Sequence, residues 1–323
     1  MLTLLKRIKG IGLTLLLPLV LYLAFYVSAP SNFGSAAVLR TILTQSLIPM
    51  ICGFGMLFGR SMGILDLSIG SRIIASSMFA ALLTERFGLG IAGLFVLTVL
   101  FSVLLGAVVG AVYCLCKIPS VVVALVVAMF FEVIGFKITD GAAFLQVDSE
   151  LCVLGRTPWN LIVAALSLVA FALIYSKTKF CYNVRAISGD ELIAKGNGIN
   201  VDRTKFLAYT IGSIFVGIAA VIQISYASSM SAKQNMESLS MSFDPLMAMV
   251  IGIQIQDYVT LPVGIFIGAF MISTLFSGLV ALGMSATAQD IATGLFLIVV
   301  IAISTNSGRI QTAIRKRRAK AAY

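Results

Sequence analysis

The residues best equipped for chemistry sit in one short stretch, Gly63-Ile64-Leu65-Asp66-Leu67-Ser68-Ile69-Gly70-Ser71-Arg72. A carboxylate, two hydroxyls, a guanidinium and two small flanking glycines open what reads as an apolar span. Charge at membrane depth is costly and normally faces protein or a water-filled cavity. Asp66 and Arg72 can neutralise each other, and a helix start would give Asp66 free N–H groups to accept from. A structural cap and ion pair is the preferred reading of this stretch, ahead of a solute contact. Other charges within apolar runs are Glu132, Lys137 and Asp290. Glu132 and Lys137 are five residues apart and do not share a helix face well, and Asp290 can cap the last run.

A second polar stretch spans residues 177–205. Within it, Ser188 to Lys195 predicts a short helix. Ser188 or Asp190 can cap it, Glu191 sits in its first turn, and Lys195 with Gly196 or Gly198 closes it. The residues alone leave two readings open: an ordinary solvated loop, or a short helix presenting a knob to a soluble partner.

What the chain lacks narrows the chemistry. It has no histidine, which removes histidine-based triads, metal sites and proton relays together. Cys52, Cys114, Cys116, Cys152 and Cys181 are scattered, and the spacing of Cys114 and Cys116, with no second pair near, does not suit a metal. No GxxxxGK[ST] phosphate loop occurs, so no ATP site is expected. No acid–base constellation marks an enzyme, and neither a catalytic residue nor a cofactor is expected.

The elements that hold these residues follow from composition. Of 323 residues, 59% are hydrophobic and 11% charged, and mean hydropathy is +1.05. Such a chain cannot cover itself with a polar shell of the usual roughly 25% charged residues, so its solvent is lipid. In lipid only helices or closed barrels satisfy the backbone, and long continuous apolar runs select helices. The expectation is an all-α, polytopic protein with about ten transmembrane helices: 11–29, 37–58, 62–84, 90–115, 119–138, 158–176, 206–227, 242–256, 261–283 and 287–305. The eighth run is short and the second and third nearly continuous, so either can be a broken or re-entrant helix. The first run follows Lys6-Arg7-Ile8-Lys9 and lacks a small-residue cleavage site, so it reads as a retained anchor.

Basic residues test the count. Alternating from a cytoplasmic start puts 17 of them inside, including Lys117, Lys177, Arg185, Lys195 and a tail from Arg309 to Lys320. Only Arg40, Arg86, Arg156 and Lys233 fall outside. That bias places both termini in the cytoplasm and explains the net charge of +10 without nucleic acid. Pro119, Pro158 and Pro262 suit helix starts, while Pro49 predicts a kink. Gly106 with Gly110, and Gly264 with Gly268, each place two glycines on one face, a pattern for close helix packing.

From about Ser31 to Ser304 the chain resembles the permease family of ribose-type ABC importers, which take up sugars and autoinducer-2-like furanoses. Gly63 to Ser71 resembles that family's G-G-I-D-L-S-V-G-S signature, with one residue more between glycine and aspartate than a paired glycine gives. Lys117-Ile118-Pro119-Ser120 resembles its K-x-P-x-F-I-x-T-L element. Arg185 to Glu191, with Ala194, Gly198, Ile199, Asn200 and Val201, resembles A-x-G-x-N-x-x-A-A-x-x-x-G-I-x-V. The order from Phe243-Asp244-Pro245-Leu246 through Gly283 also matches.

The resemblance implies a single permease domain, 1–323, in a bacterial inner membrane, with a coupling loop at 177–205 and a basic tail at 306–323. It implies cytoplasmic ABC ATPase subunits, an extracytoplasmic solute-binding protein and a second permease subunit as partners. It assigns ATPase coupling to Gly189, Asp190, Glu191, Ala194, Lys195 and Gly198. It makes Gly63, Asp66, Ser68, Gly70 and Ser71 a signature that lines or braces the pathway. The chain departs from the family after Val250-Ile251-Gly252, where residues 253–260 replace a glycine-rich loop; this hints at one specialised half of a heterodimer. The rival reading is an ion-gradient-driven secondary transporter, for which the buried acids are few. A passive pore would need polar rings that the sequence lacks.

Overall fold

A computed structural model describes residues 16, 18–30, 32–139, 144–285, 287–289 and 291–302. Lys6, Arg7, Lys9, Asp290 and the tail 306–323 lie outside the described residues. The chain is helical: α1 Pro18–Ser28, α2 Ala36–Ser61, α3 Ile69–Phe87, α4 Gly90–Cys116, α5 Ser120–Ile138, α6 Trp159–Lys177, α7 Lys179–Gly189, α8 Glu191–Gly196, α9 Val201–Ala227, α10 Ser240–Gln254 and α11 Leu261–Ala281, then α12 Thr287–Ala302. Each of the ten expected intervals holds a helix. Six of them, α2, α4, α5, α6, α9 and α11, are long and apolar enough to cross a membrane. The helix α3 carries Arg72, Glu85 and Arg86 and is buried along most of its length. At 15 residues, α10 is too short to span a core about 30 Å thick.

Two sequence expectations need correction. Residues 177–205 are not one loop with a short helix, because α7 occupies 179–189 and α9 begins at Val201. Within 179–189, Cys181, Val184 and Ile187 recur every third residue and are buried, which gives α7 an apolar face to dock. Ser188 is not a cap; it lies inside α7, and Asp190 caps the next helix. Pro49 lies inside α2, which is helical from Ala36 to Ser61.

The chain forms two compact units, Thr44–Leu246 and the pair of segments Met1–Leu43 with Met247–Tyr323. In the first, α4 lies along α9 with α3 against both. The inward face of α4 is small and polar: Thr98, Ser102, Gly106 and Gly110 are buried. Its outward face carries Val96, Leu100, Leu104 and Val108, spaced four apart and exposed. Small residues inside and bulky apolar residues outside is the arrangement of a helix packed in lipid. A Cβ at Gly106 would overlap the Ser213 hydroxyl, and one at Gly110 would meet Tyr209 and Phe206, so this glycine pair does permit close packing. Phe54, Phe171 and Phe215, from α2, α6 and α9, interlock, with Phe54 and Phe171 stacked at 4.5 Å. A two-stranded antiparallel sheet, β1 Phe144–Gln146 and β2 Ser229–Ser231, pairs Leu145 with Met230.

In the second unit, Ala29, Phe33 and Ile42 form a core with Phe25 and Phe270. The expected packing of Gly264 and Gly268 is present: Cβ atoms there would press on the backbone of Gly252 and Ala248. Residues 253–260 close without glycine through two turns, Tyr258 N–H and Val259 N–H both donating to the Ile255 carbonyl.

Candidate functional site

Two sites emerge from the residues singled out in the sequence, both within Thr44–Leu246. The first is the break between α2 and α3. Gly63 turns the chain with φ +77°, a left-handed value that glycine adopts without strain. Asp66 then folds back on its own loop. One carboxylate oxygen accepts from the Ser68 N–H at 3.0 Å and the Ser68 hydroxyl at 2.6 Å. The other pairs with the Arg72 guanidinium. Arg72 is 2% exposed, so its charge sits in the interior and is matched by Asp66, as the cost of an unpaired buried charge requires.

Longer-range bonds tie this loop to its neighbours. Arg72 also donates to the Ser213 hydroxyl of α9, and Ser213 donates in turn to the Tyr209 carbonyl at 2.7 Å. Ser102 on α4 donates to the Ser213 carbonyl at 2.8 Å. Gly70 N–H donates to the Ser242 hydroxyl at 3.1 Å, and that hydroxyl donates to the Leu67 carbonyl at 2.9 Å. Ser71 donates to the Ser68 carbonyl. A small pocket beside the pair is lined by Asp66, Arg72, Tyr209 and the glycines Gly55, Gly59 and Gly212. Those glycines are needed for closeness: a Cβ at Gly212 would stand 2.6 Å from the Gly55 carbonyl oxygen. The Arg72 Nε and the Tyr209 hydroxyl have no hydrogen-bond partner among the described residues. Gly63, Asp66 and Ser68 lie in the connection, and Gly70 and Ser71 in the first turn of α3.

The second site is the α7–α8 corner. Thr178 caps α7 by accepting from Cys181 N–H at 3.3 Å. Burial pushes the Cys181 thiol above its ordinary pKa, against the smaller opposing effects of Thr178 and Arg185, and its side chain packs on the buried face of α7. Asp190 is extended and ends α7, and its carboxylate accepts from Ile193 N–H at 2.9 Å to start α8. Gly198, at φ +82°, closes α8, with Ile199 N–H donating to the Ala194 carbonyl. Asn200 then caps α9 through Arg203 N–H at 2.9 Å. Glu191 bonds Lys205 at 2.9 Å and so pins α8 to α9. Arg185 lies over the Tyr175 ring at 4.8 Å.

These positions sort the expected coupling residues. Gly189, Glu191, Lys195 and Gly198 are at the surface, Asp190 is the exposed cap, and Ala194 is buried beneath. Ala194 seats the corner and cannot itself touch a partner. Sequence reasoning missed Leu192 and Ile193, which are 81% and 65% exposed. Two adjacent bulky apolar residues in the most polar connection of the chain were the available signal. Among the described residues no cluster of three or more metal-ligating side chains occurs.

Comparison with known proteins puts this geometry in context. Residues 38–303 match the family model described as branched-chain amino acid transport system / permease component. The chain is similar to the L-arabinose transport system permease protein AraH of Escherichia coli K12, 28% identical and covering 87% of this chain and 86% of that protein. It is also similar to the autoinducer 2 import system permease protein LsrC of Photorhabdus luminescens, at 27% identity over 78% and 76% of the two chains. The ribose import permease protein RbsC of Escherichia coli K12 is 22% identical over 89% and 92%. Among solved structures, a metal-chelate type ABC transporter in an inward-facing conformation has a TM-score of 0.54 at 16% identity, covering 92% of this chain and 99% of that one. That likeness concerns the fold.

Proposed function

Because the chain belongs to the branched-chain amino acid transport system / permease component family, we propose that it is the transmembrane permease subunit of an ATP-driven importer for a sugar or sugar-like solute. It is a transport subunit and not an enzyme; ATP hydrolysis belongs to a separate subunit. The sugar assignment rests on the arabinose, ribose and autoinducer 2 systems in which its relatives are named. The observation that carries the reading is the α7–α8 corner: a capped, salt-bridged helix with Leu192 and Ile193 exposed. A soluble protein groove is the natural cover for such a patch.

In this reading the chain crosses a bacterial inner membrane ten times with both termini in the cytoplasm. The helices α3 and α10 are then bundle helices whose polar or short segments meet protein instead of lipid. Gly189, Asp190, Glu191, Lys195 and Gly198 frame the surface offered to the ATPase, with Ala194 as its buried seat. Gly63, Asp66, Ser68, Gly70 and Ser71 brace the pathway. A solute-binding protein on the outer side and a second permease subunit complete the importer. ATP then drives transport only through differential contacts with the two states of the permease.

The Glu191→Arg substitution tests this. It sets two cations together at Lys205 and reverses charge on the corner. Co-purification of the ATPase and solute uptake should both fall about tenfold or more, the change expected from losing roughly 1.4 kcal/mol at an interface. Unchanged co-purification with unchanged uptake contradicts the reading. A protease-sensitive tag after Tyr323 should also be protected from digestion outside intact cells.

A further inference from the structure

The sequence offers Glu132 no partner, yet the structure buries it to 3% exposure in α5. Both carboxylate oxygens are used. One accepts from the Met236 N–H and the other from the Ser238 N–H, each at 2.9 Å. These N–H groups open the single 3-10 turn Glu237–Leu239, which runs straight into α10. The first N–H groups of any helix lack acceptors in their own turn. A cap side chain normally supplies one, but the residue in that place is Met236, which has no side-chain oxygen. Glu132 supplies it instead, from a different helix.

The segment it holds is under strain. Asn235 and Met236 are both left-handed, with φ +55° and +67°, a conformation uncommon for methionine. Such geometry persists only where the surroundings impose it. On its other side the same turn is held by the signature loop. Gly70 lies directly beneath the Ser238 carbonyl, where a Cβ would overlap it, and the Ser242 hydroxyl bridges Gly70 N–H and the Leu67 carbonyl. The start of α10 is thus fixed between Glu132 and the loop that carries Asp66.

We propose that Glu132 is a positioning residue for transport: its carboxylate latches the left-handed turn at Asn235–Met236 and so sets the start of α10 against the signature loop. This rests on the reading of the chain as a permease. When the latch opens, two backbone N–H groups lose their acceptors together, the strained turn relaxes, and the Ser238 carbonyl lifts from Gly70. A buried group that does this work controls the exchange between conformations. A mere brace would instead be needed for folding.

Glu132→Gln keeps the size but points an amide donor at one backbone N–H, while Glu132→Asp keeps the charge and shortens the reach. Both are assembled with the ATPase subunits and the binding protein. Solute uptake per complex is measured beside the labelling rate of Ser238→Cys by a membrane-impermeant maleimide, in a chain whose own 5 cysteines are serine. Ser238 is buried with an unpartnered hydroxyl, so cysteine there costs no hydrogen bond.

Glu132→Gln should assemble, lose about tenfold or more of its uptake, and label at position 238 about tenfold faster. These are the effects of losing one strong buried hydrogen bond. Glu132→Asp should fall between it and the unmutated complex on both readouts. Wild-type uptake with unchanged labelling in Glu132→Gln overturns the proposal. Failure of both variants to assemble also overturns it, since Glu132 would then be a folding brace. Labelling is read on the chain itself and tests the latch alone, whereas absence of uptake in the unmutated complex would count against the permease reading.

Discussion

Asp66–Arg72 and Glu191–Lys205 are the same pairing of carboxylate and cation in contrasting surroundings. The first has side chains 12% and 2% exposed and the second 52% and 12%. Around the first, Ser68 and Ser213 bond the pair, Ser102 holds Ser213, and the glycines of α2 and α9 pack close beside it. Around the second, Lys205 lies over the Tyr113 ring while Glu191 is half exposed, with exposed Leu192 and Ile193 next to it in α8. A buried pair adds little net stability but makes loss of one partner severe. An exposed pair adds about 0.2–1 kcal/mol and can change without harm to the fold. The signature loop is therefore held from several sides, whereas the corner leaves Leu192 and Ile193 exposed.

Breaking the buried pair should give the largest effect. Arg72→Met leaves Asp66 without its cation and should cost about 3–5 kcal/mol, read as loss of a monodisperse peak and a lower Tm in detergent. The double variant Asp66→Asn with Arg72→Met should recover much of that loss. A single variant that melts like the parent would erase the distinction between the two pairs. Next, Gly212→Val forces a side chain onto the Gly55 backbone and should cost about 1–3 kcal/mol, again read as Tm.

At the corner the expected stability changes are small. Glu191→Gln should lower stability by about 0.2–1 kcal/mol, and the difference should shrink in high salt because an exposed pair is screened. The smallest stability effect belongs to Leu192→Asp with Ile193→Asp, within about 0.5 kcal/mol as for other surface changes. Its Tm should match the parent while ATPase co-purification is lost. A large fall in Tm there would mean that the corner, too, is a braced interior.

Much of the local architecture was legible from order in the chain. Apolar runs located the helices, six residues of separation let Asp66 reach Arg72, and the Gly106–Gly110 spacing forecast a close-packed face. What failed to show is long-range. Ser213 is 141 residues from Arg72, and Met236 is 104 from Glu132; periodicity says which face of a helix is buried but not which helix lies opposite. The three-residue strands β1 and β2 are too short for an alternating pattern to register. At 179–189 polar content masked a three-residue apolar spacing that only docking makes meaningful. Leu192 and Ile193 were visible as residues, but their exposure follows from how Asp190 and Glu191 turn and pin α8.

The central claim is that the exposed corner receives work from a separate ATP-hydrolysing subunit. Solute flux into proteoliposomes holding the chain alone, compared with the chain plus ATPase and binding protein, tests it most directly. The account predicts accumulation only in the complete, ATP-fed vesicles, and its abolition by Leu192→Asp with Ile193→Asp. Flux through the chain alone, driven by nothing but an ion gradient, would contradict it.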